Sequence, residues 1–136
     1  MVPKRAILAR VVERSFPILG TPDLRRALDF YVGLLGGVVS YQFPETGTPR
    51  YVTLRLGSSS LGLGQSDSPG VASERFQLCA YTKDVDETVA RLRTAGAPVL
   101  IEPADQSWGE RMARVADPDG NYVTLFADLS RRPIGR

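Results

Sequence analysis

The chain has no histidine, one cysteine, one tryptophan and two methionines among its 136 residues. The missing histidine removes the commonest metal ligand and the side chain that titrates nearest neutral pH. The single cysteine, Cys79, excludes an internal disulfide, and no neighbouring residue lowers its pKa. Within the apolar stretch Phe76 to Tyr81 it reads as a small buried residue. No apolar run approaches the ~18 residues of a membrane-spanning helix. The first residues carry charge, but their apolar stretch is short and broken by Arg10 and Glu13. That pattern reads as a cytoplasmic terminus, not a signal peptide. The net charge of +2 comes from arginines scattered singly or in pairs, without interleaved aromatics, so nothing marks a nucleic-acid surface.

What is present is an ordinary globular mixture, 43% hydrophobic and 24% charged, expected to form one domain over residues 1–136. An internal repeat organises it. Thr21-Pro22-Asp23-Leu24 ends an apolar stretch and opens a helix, and Thr82-Lys83-Asp84-Val85 does the same later. Asp23 and Asp84 are placed to cap the two helices, and Glu87 follows Asp84 at capping-box spacing. The first helix puts Leu24, Ala27, Leu28, Tyr31, Leu34 and Leu35 on one face, with Arg25, Arg26 and Asp29 opposite. The second buries Val85, Val89 and Leu92. Strand-like runs surround them at Phe16–Thr21, Val38–Phe43, Arg50–Leu56 and Ser60–Gly64. In the second half they fall at Phe76–Thr82, Val99–Glu102, Arg111–Ala116 and Asn121–Phe126. Asp117-Pro118-Asp119-Gly120 joins the last two as a hairpin. The expected fold is α+β: tandem βαβββ modules over 14–64 and 74–128, with curved mixed sheets around a cleft. A further strand over Arg5–Glu13 is expected to cover a sheet edge or pair with another subunit.

Two motifs carry a resemblance. One is Asp-Leu-x-x-Ala-Leu-x-Phe-Tyr-x-x-Leu-Leu-Gly over Asp23–Gly36; the other runs from Trp108-Gly109 to Asp117-Pro118-Asp119-Gly120-Asn121. With the paired modules they resemble the vicinal oxygen chelate superfamily, which holds glyoxalase I, extradiol dioxygenases, fosfomycin-resistance enzymes and bleomycin-binding proteins. In metal-dependent members four inward-pointing side chains, mostly His and Glu, hold a divalent ion. By motif position these fall here at Phe16, Gly62, Gln77 and Thr124. Phe and Gly offer no donor atom, and Gln and Thr are neutral oxygen donors that need carboxylates beside them. The nearest carboxylates, Glu110 and Asp117, lie in or beside turns and read as solvated turn or cap residues. The resemblance therefore implies the metal-free, bleomycin-resistance-like branch, with no metal and no cofactor. Members of that branch bind drugs without transforming them, as dimers with clefts at the subunit interface and an exchanged N-terminal strand.

In those proteins a Gln-Pro-Trp-Gly tryptophan stacks on the drug, and Gln106-Ser107-Trp108-Gly109 is similar to it. Strand alternation then groups a ligand-binding set. Gln77 shares a face with Cys79 and Tyr81, Thr124 with Tyr122 and Phe126, and Phe16 with Ile18. Phe43 and Tyr51, near Tyr41, form a second aromatic wall, and Arg111 or Arg55 is placed to pair with an anionic group. The bleomycin binders are acidic and their ligand is cationic, whereas this chain carries +2; its spacing from Trp108 to Asp117 is also one residue longer. Charge steering therefore favours a neutral or anionic planar ligand. The leading expectation is a sequestering protein serving antibiotic resistance or self-protection. Its rivals are a metal-free isomerase or lyase using Glu110, Tyr81 or Tyr122 as acid or base, and an accessory module.

Overall fold

Residues 11–131 are described by a computed structural model. The first half runs β1 (Ile18–Thr21), α1 (Leu24–Leu28), β2 (Val38–Phe43), β3 (Tyr51–Leu56) and β4 (Ser59–Gln65). The second runs β5 (Gln77–Tyr81), α2 (Val85–Thr94), β6 (Val99–Asp105), β7 (Glu110–Ala116) and β8 (Tyr122–Asp128). Each half makes its own four-stranded sheet, in the order β1-β4-β3-β2 and β5-β8-β7-β6. In both, the first strand lies parallel to the last and the other pairs are antiparallel. The tandem βαβββ arrangement is thus present.

Both helices begin at their carboxylate caps. Asp23 accepts a hydrogen bond from the Arg26 amide, and Asp84 accepts one from the Glu87 amide, each at 3.0 Å. These bonds satisfy donors that have no partner within the helix. The second helix buries Val85, Val89 and Leu92 as its period requires. The first departs from the simple period. After Leu28 it widens into π-helical turns over Asp29–Leu34, with Leu35 N–H bonded to the Phe30 carbonyl at 3.0 Å. Widening brings the consecutive Phe30 and Tyr31 both into the core, edge to face at 4.9 Å between ring centres. Leu28, Leu34 and Leu35 are left only partly buried.

One core serves both halves. Val52, Leu54, Leu61 and Leu63 of the first sheet pack with the helices and with Ala113, Val115, Val123 and Leu125 of the second. Strand alternation sends the intervening residues to the outer faces, away from the helices. The expected strand over Arg5–Glu13 falls mostly outside the described residues, and Val11–Glu13 are not in a strand. Cys79, expected to be buried, is exposed: it lies on the outer face of β5, an edge strand with no helix over that side. Asp117, expected to be solvated, is buried at 3%. It accepts hydrogen bonds from the Asp119 and Asn121 amides and the Asn121 side chain, and the Tyr31 hydroxyl donates to it at 2.7 Å. Among the described residues no helix is long and apolar enough to cross a membrane.

Candidate ligand-binding face

The outer face of the second sheet gathers five of the nine expected site residues. Register pairs Gln77 with Tyr122, Cys79 with Thr124 and Tyr81 with Phe126. On the other side of β8, Arg114 lies opposite Thr124, Met112 opposite Phe126 and Glu110 opposite Asp128. At one end, Arg114 Nε donates to Thr124 Oγ1 and Nη2 donates to Gln77 Oε1, each at 3.0 Å. The Thr124 hydroxyl also donates to Gln77 Oε1. The Arg114 guanidinium lies 4.9 Å from the Tyr122 ring centre.

At the other end stands Glu110. Trp108 Nε1 donates to one of its oxygens at 2.8 Å, and the Tyr81 hydroxyl donates to the other at 2.5 Å. Tyr81 stacks obliquely on Phe126 at 5.5 Å. The carboxylate accepting the Tyr81 hydrogen bond pushes that phenol above its ordinary value. Tyr81 is therefore poorly suited to act as a base near neutral pH. Both aromatics remain open to solvent, Trp108 by 59% and Tyr81 by 68%.

Three further expected residues lie on the first sheet. Tyr51 and Phe43 are register partners on its outer face, and Tyr41 sits 6.2 Å from Tyr51 between ring centres. Phe16 precedes β1 and is partly exposed. An open depression of about 1570 Å³ lies between the two halves. Phe16, Tyr41, Arg55, Cys79 and Tyr81 line it, whereas Gln77, Arg114, Thr124 and Trp108 lie outside it. One chain therefore leaves the Trp108 end of the second sheet uncovered.

Arg111, the ninth, is not with the others. It sits opposite Ala127 on the helix side of β7. Asp86 of α2 grips it at 2.6 Å and Asp105 of β6 at 2.9 Å. The Asp86 hydrogen bonds and then the one to Asp105 raise its pKa further. Arg114, three residues on and on the opposite side of the strand, occupies the outer face. The hairpin itself carried the signal. Asp117 N–H bonds to Asn121 at 2.9 Å, and counting outward from that closing pair sets Arg114 against Thr124.

The four positions at which the superfamily's metal ligands fall do not fit a divalent ion. A Cβ at Gly62 would lie 2.5 Å from the Tyr51 hydroxyl and 2.8 Å from Ile18, so neighbouring side chains fill the space of a ligand. Gln77 and Thr124 already serve a guanidinium, a cation on the atoms that would face a metal. Among the described residues no three His, Cys, Asp or Glu side chains are grouped to supply other donors.

Two of the proteins to which the chain is similar carry names that point to anthracycline biosynthesis and to antibiotic binding. The anthracycline biosynthesis protein DauV of Streptomyces sp. (strain C5) is 30% identical over 122 residues, which cover 79% of this chain and 44% of that one. The chain thus spans less than half the length of that relative. TnmS3, described as an antibiotic binding protein from Streptomyces sp. CB03234, superposes with a TM-score of 0.69 at 26% identity, covering 88% of this chain and 98% of that one. TioX from Micromonospora sp. ML1 superposes with a TM-score of 0.71 at 26% identity, covering 87% and 100%. The family model for the Glyoxalase/Bleomycin resistance protein/Dioxygenase superfamily matches residues 8–125. The chain belongs to that superfamily.

Proposed function

We propose that the protein binds and sequesters a planar aromatic small molecule, without a metal and without turning it over. The exposed Trp108 ring, held by Glu110 beside Tyr81 and Phe126, carries this reading. A fixed aromatic face offers a large contact area with few rotamers to freeze on binding. Gln77, Thr124 and Tyr122 supply the polar end of the same face, the usual make-up of a small-molecule site. Phe43 and Tyr51 belong to the opposing wall, contributed by a second copy of the chain in a homodimer, and Phe16, which lines the depression beside Tyr81 within one chain, stands at its edge. The antibiotic-linked names of DauV and TnmS3 support a role in resistance or self-protection. Both Glu110 oxygens are engaged, which leaves less support for acid–base chemistry at that residue.

The test is a titration of Trp108 emission with a bleomycin-class glycopeptide and a panel of planar aromatic antibiotics, with chelator present. Neutral or anionic planar compounds are expected to quench saturably at micromolar concentration or tighter, and to be recovered unchanged. A flat signal for every compound, with Trp108 shielded from an added quencher, would overturn the reading.

A further inference from the structure

The arginines that form ion pairs among the described residues each meet a carboxylate: Arg26 meets Asp119, Arg93 meets Glu102, and Arg111 meets both Asp86 and Asp105. Arg114 differs. It is half-buried in the middle of a sheet, yet its two hydrogen-bond partners, Gln77 and Thr124, are neutral. The third group against it, the Tyr122 ring, is neutral as well. Glu74 takes the Tyr122 hydroxyl hydrogen at 3.2 Å, and no carboxylate among the described residues forms an ion pair with Arg114. A full positive charge is thus held in place with no carboxylate within ion-pair distance among the described residues.

The geometry also leaves the right atoms over. A guanidinium has five N–H donors in a rigid planar fork. The edge formed by Nε and Nη2 is spent on Thr124 and Gln77. Nη1 and the second hydrogen of Nη2 form the other edge, which matches the two oxygens of a carboxylate. The ring beneath and the two bonds beside it freeze the side chain before any ligand arrives, so little rotamer entropy remains to be lost on binding. Trp108, Tyr81 and Phe126 lie farther along the same outer face, so one elongated ligand can reach both ends.

From these observations we infer that Arg114 is the anion-recognising end of the site. The ligand is then a planar aromatic acid whose carboxylate pairs with the free guanidinium edge while its rings lie along Tyr81 and Trp108. The inference rests on the binding reading above and adds its charge. It also explains why Gln77 and Thr124 carry neutral side chains: their task is to aim an arginine, and an acid at either position would neutralise it.

The experiment compares two probes of one shape, anthraquinone-2-carboxylate and its neutral amide, by Trp108 quenching and calorimetry. The wild-type protein is expected to bind the carboxylate about tenfold or more tighter than the amide, the scale of one charge-assisted bidentate contact. Arg114→Gln is expected to abolish that difference, weakening the carboxylate complex far more than the amide complex. A second measurement needs no variant: added salt is expected to weaken the carboxylate complex and to leave the amide complex alone. Equal wild-type binding of the two probes would overturn the charge assignment and leave the binding reading intact. A carboxylate preference that survives Arg114→Gln would do the same. Failure of both probes to bind would overturn the two together.

Discussion

Glu110 holds two aromatic side chains with one carboxylate, and that economy makes it testable. Trp108 sits within the turn at Gln106–Gly109 and stands 59% exposed, so its indole would sample several rotamers without a partner for Nε1. Glu110 supplies that partner and draws the Tyr81 hydroxyl to its other oxygen. The hydrogen bond favours the protonated phenol, so Tyr81 ionises above the ordinary tyrosine value. The Glu110→Ala protein is expected to lose both effects. Its Tyr81 ring should titrate at a lower pH than in the wild type, read by NMR of labelled tyrosine rings. Affinity for planar ligands should fall several-fold while the folding transition barely moves, since these side chains are exposed. An unchanged Tyr81 titration would show that the carboxylate does not hold the ring in solution.

At the scale of elements, the first helix and the last hairpin are bolted together. Tyr31, with 0% exposure, donates to Asp117 in the turn between β7 and β8, and Arg26 of the same helical stretch pairs with Asp119 at 2.6 Å. Burial first, then the Asp117 charge, pushes the Tyr31 hydroxyl far above its ordinary value. The folded protein therefore keeps this proton at pH values where an unfolded chain, with a tyrosine pKa of about 10, releases it. A raised folded pKa contributes stability that is complete below about pH 10 and is lost as the pH climbs above it, by up to about 1.4 kcal/mol per unit. Tyr31→Phe is expected to cost about 1.5–3 kcal/mol at neutral pH through the lost hydrogen bond to a charged acceptor. Its deficit against the wild type should shrink above about pH 10, measured by urea unfolding across that range. A deficit independent of pH would sink this account. The helix caps and most strands of this scaffold were legible, because Asp23, Asp84 and the two-residue alternation act locally. The π-helical widening was not: two adjacent aromatics share a core only when tertiary packing stretches the helix. Arg111 and Arg114 show the same limit in the site. Both are arginines on one strand, and only the register set by the Asp117–Asn121 closure decides which faces outward.

At the scale of the whole molecule, one chain leaves two faces with exposed apolar side chains. Its two sheets share a core on their helix sides, so both outer faces point away from that core. Phe16, Ile18, Tyr41 and Phe43 stand exposed on or beside the first face, and Tyr81 and Trp108 on the second. Exposed apolar area of this kind is a common sign of an interaction surface. The depression between the halves takes in Phe16 and Tyr81 and stops short of Trp108 and Arg114, so one chain leaves the proposed ligand end unwalled. A homodimer that sets the first face of one copy against the second face of the other covers both and closes two equivalent sites. Sedimentation is accordingly expected to give a dimer, and Phe43→Glu, a charge on the first face, is expected to shift it toward monomer. Ligand affinity measured at Trp108 should fall about tenfold or more in that variant, because half of each pocket's apolar contact leaves with the other copy. The substitution lies on the first sheet, so a monomeric variant that binds as tightly as the wild type would place the whole site on one chain.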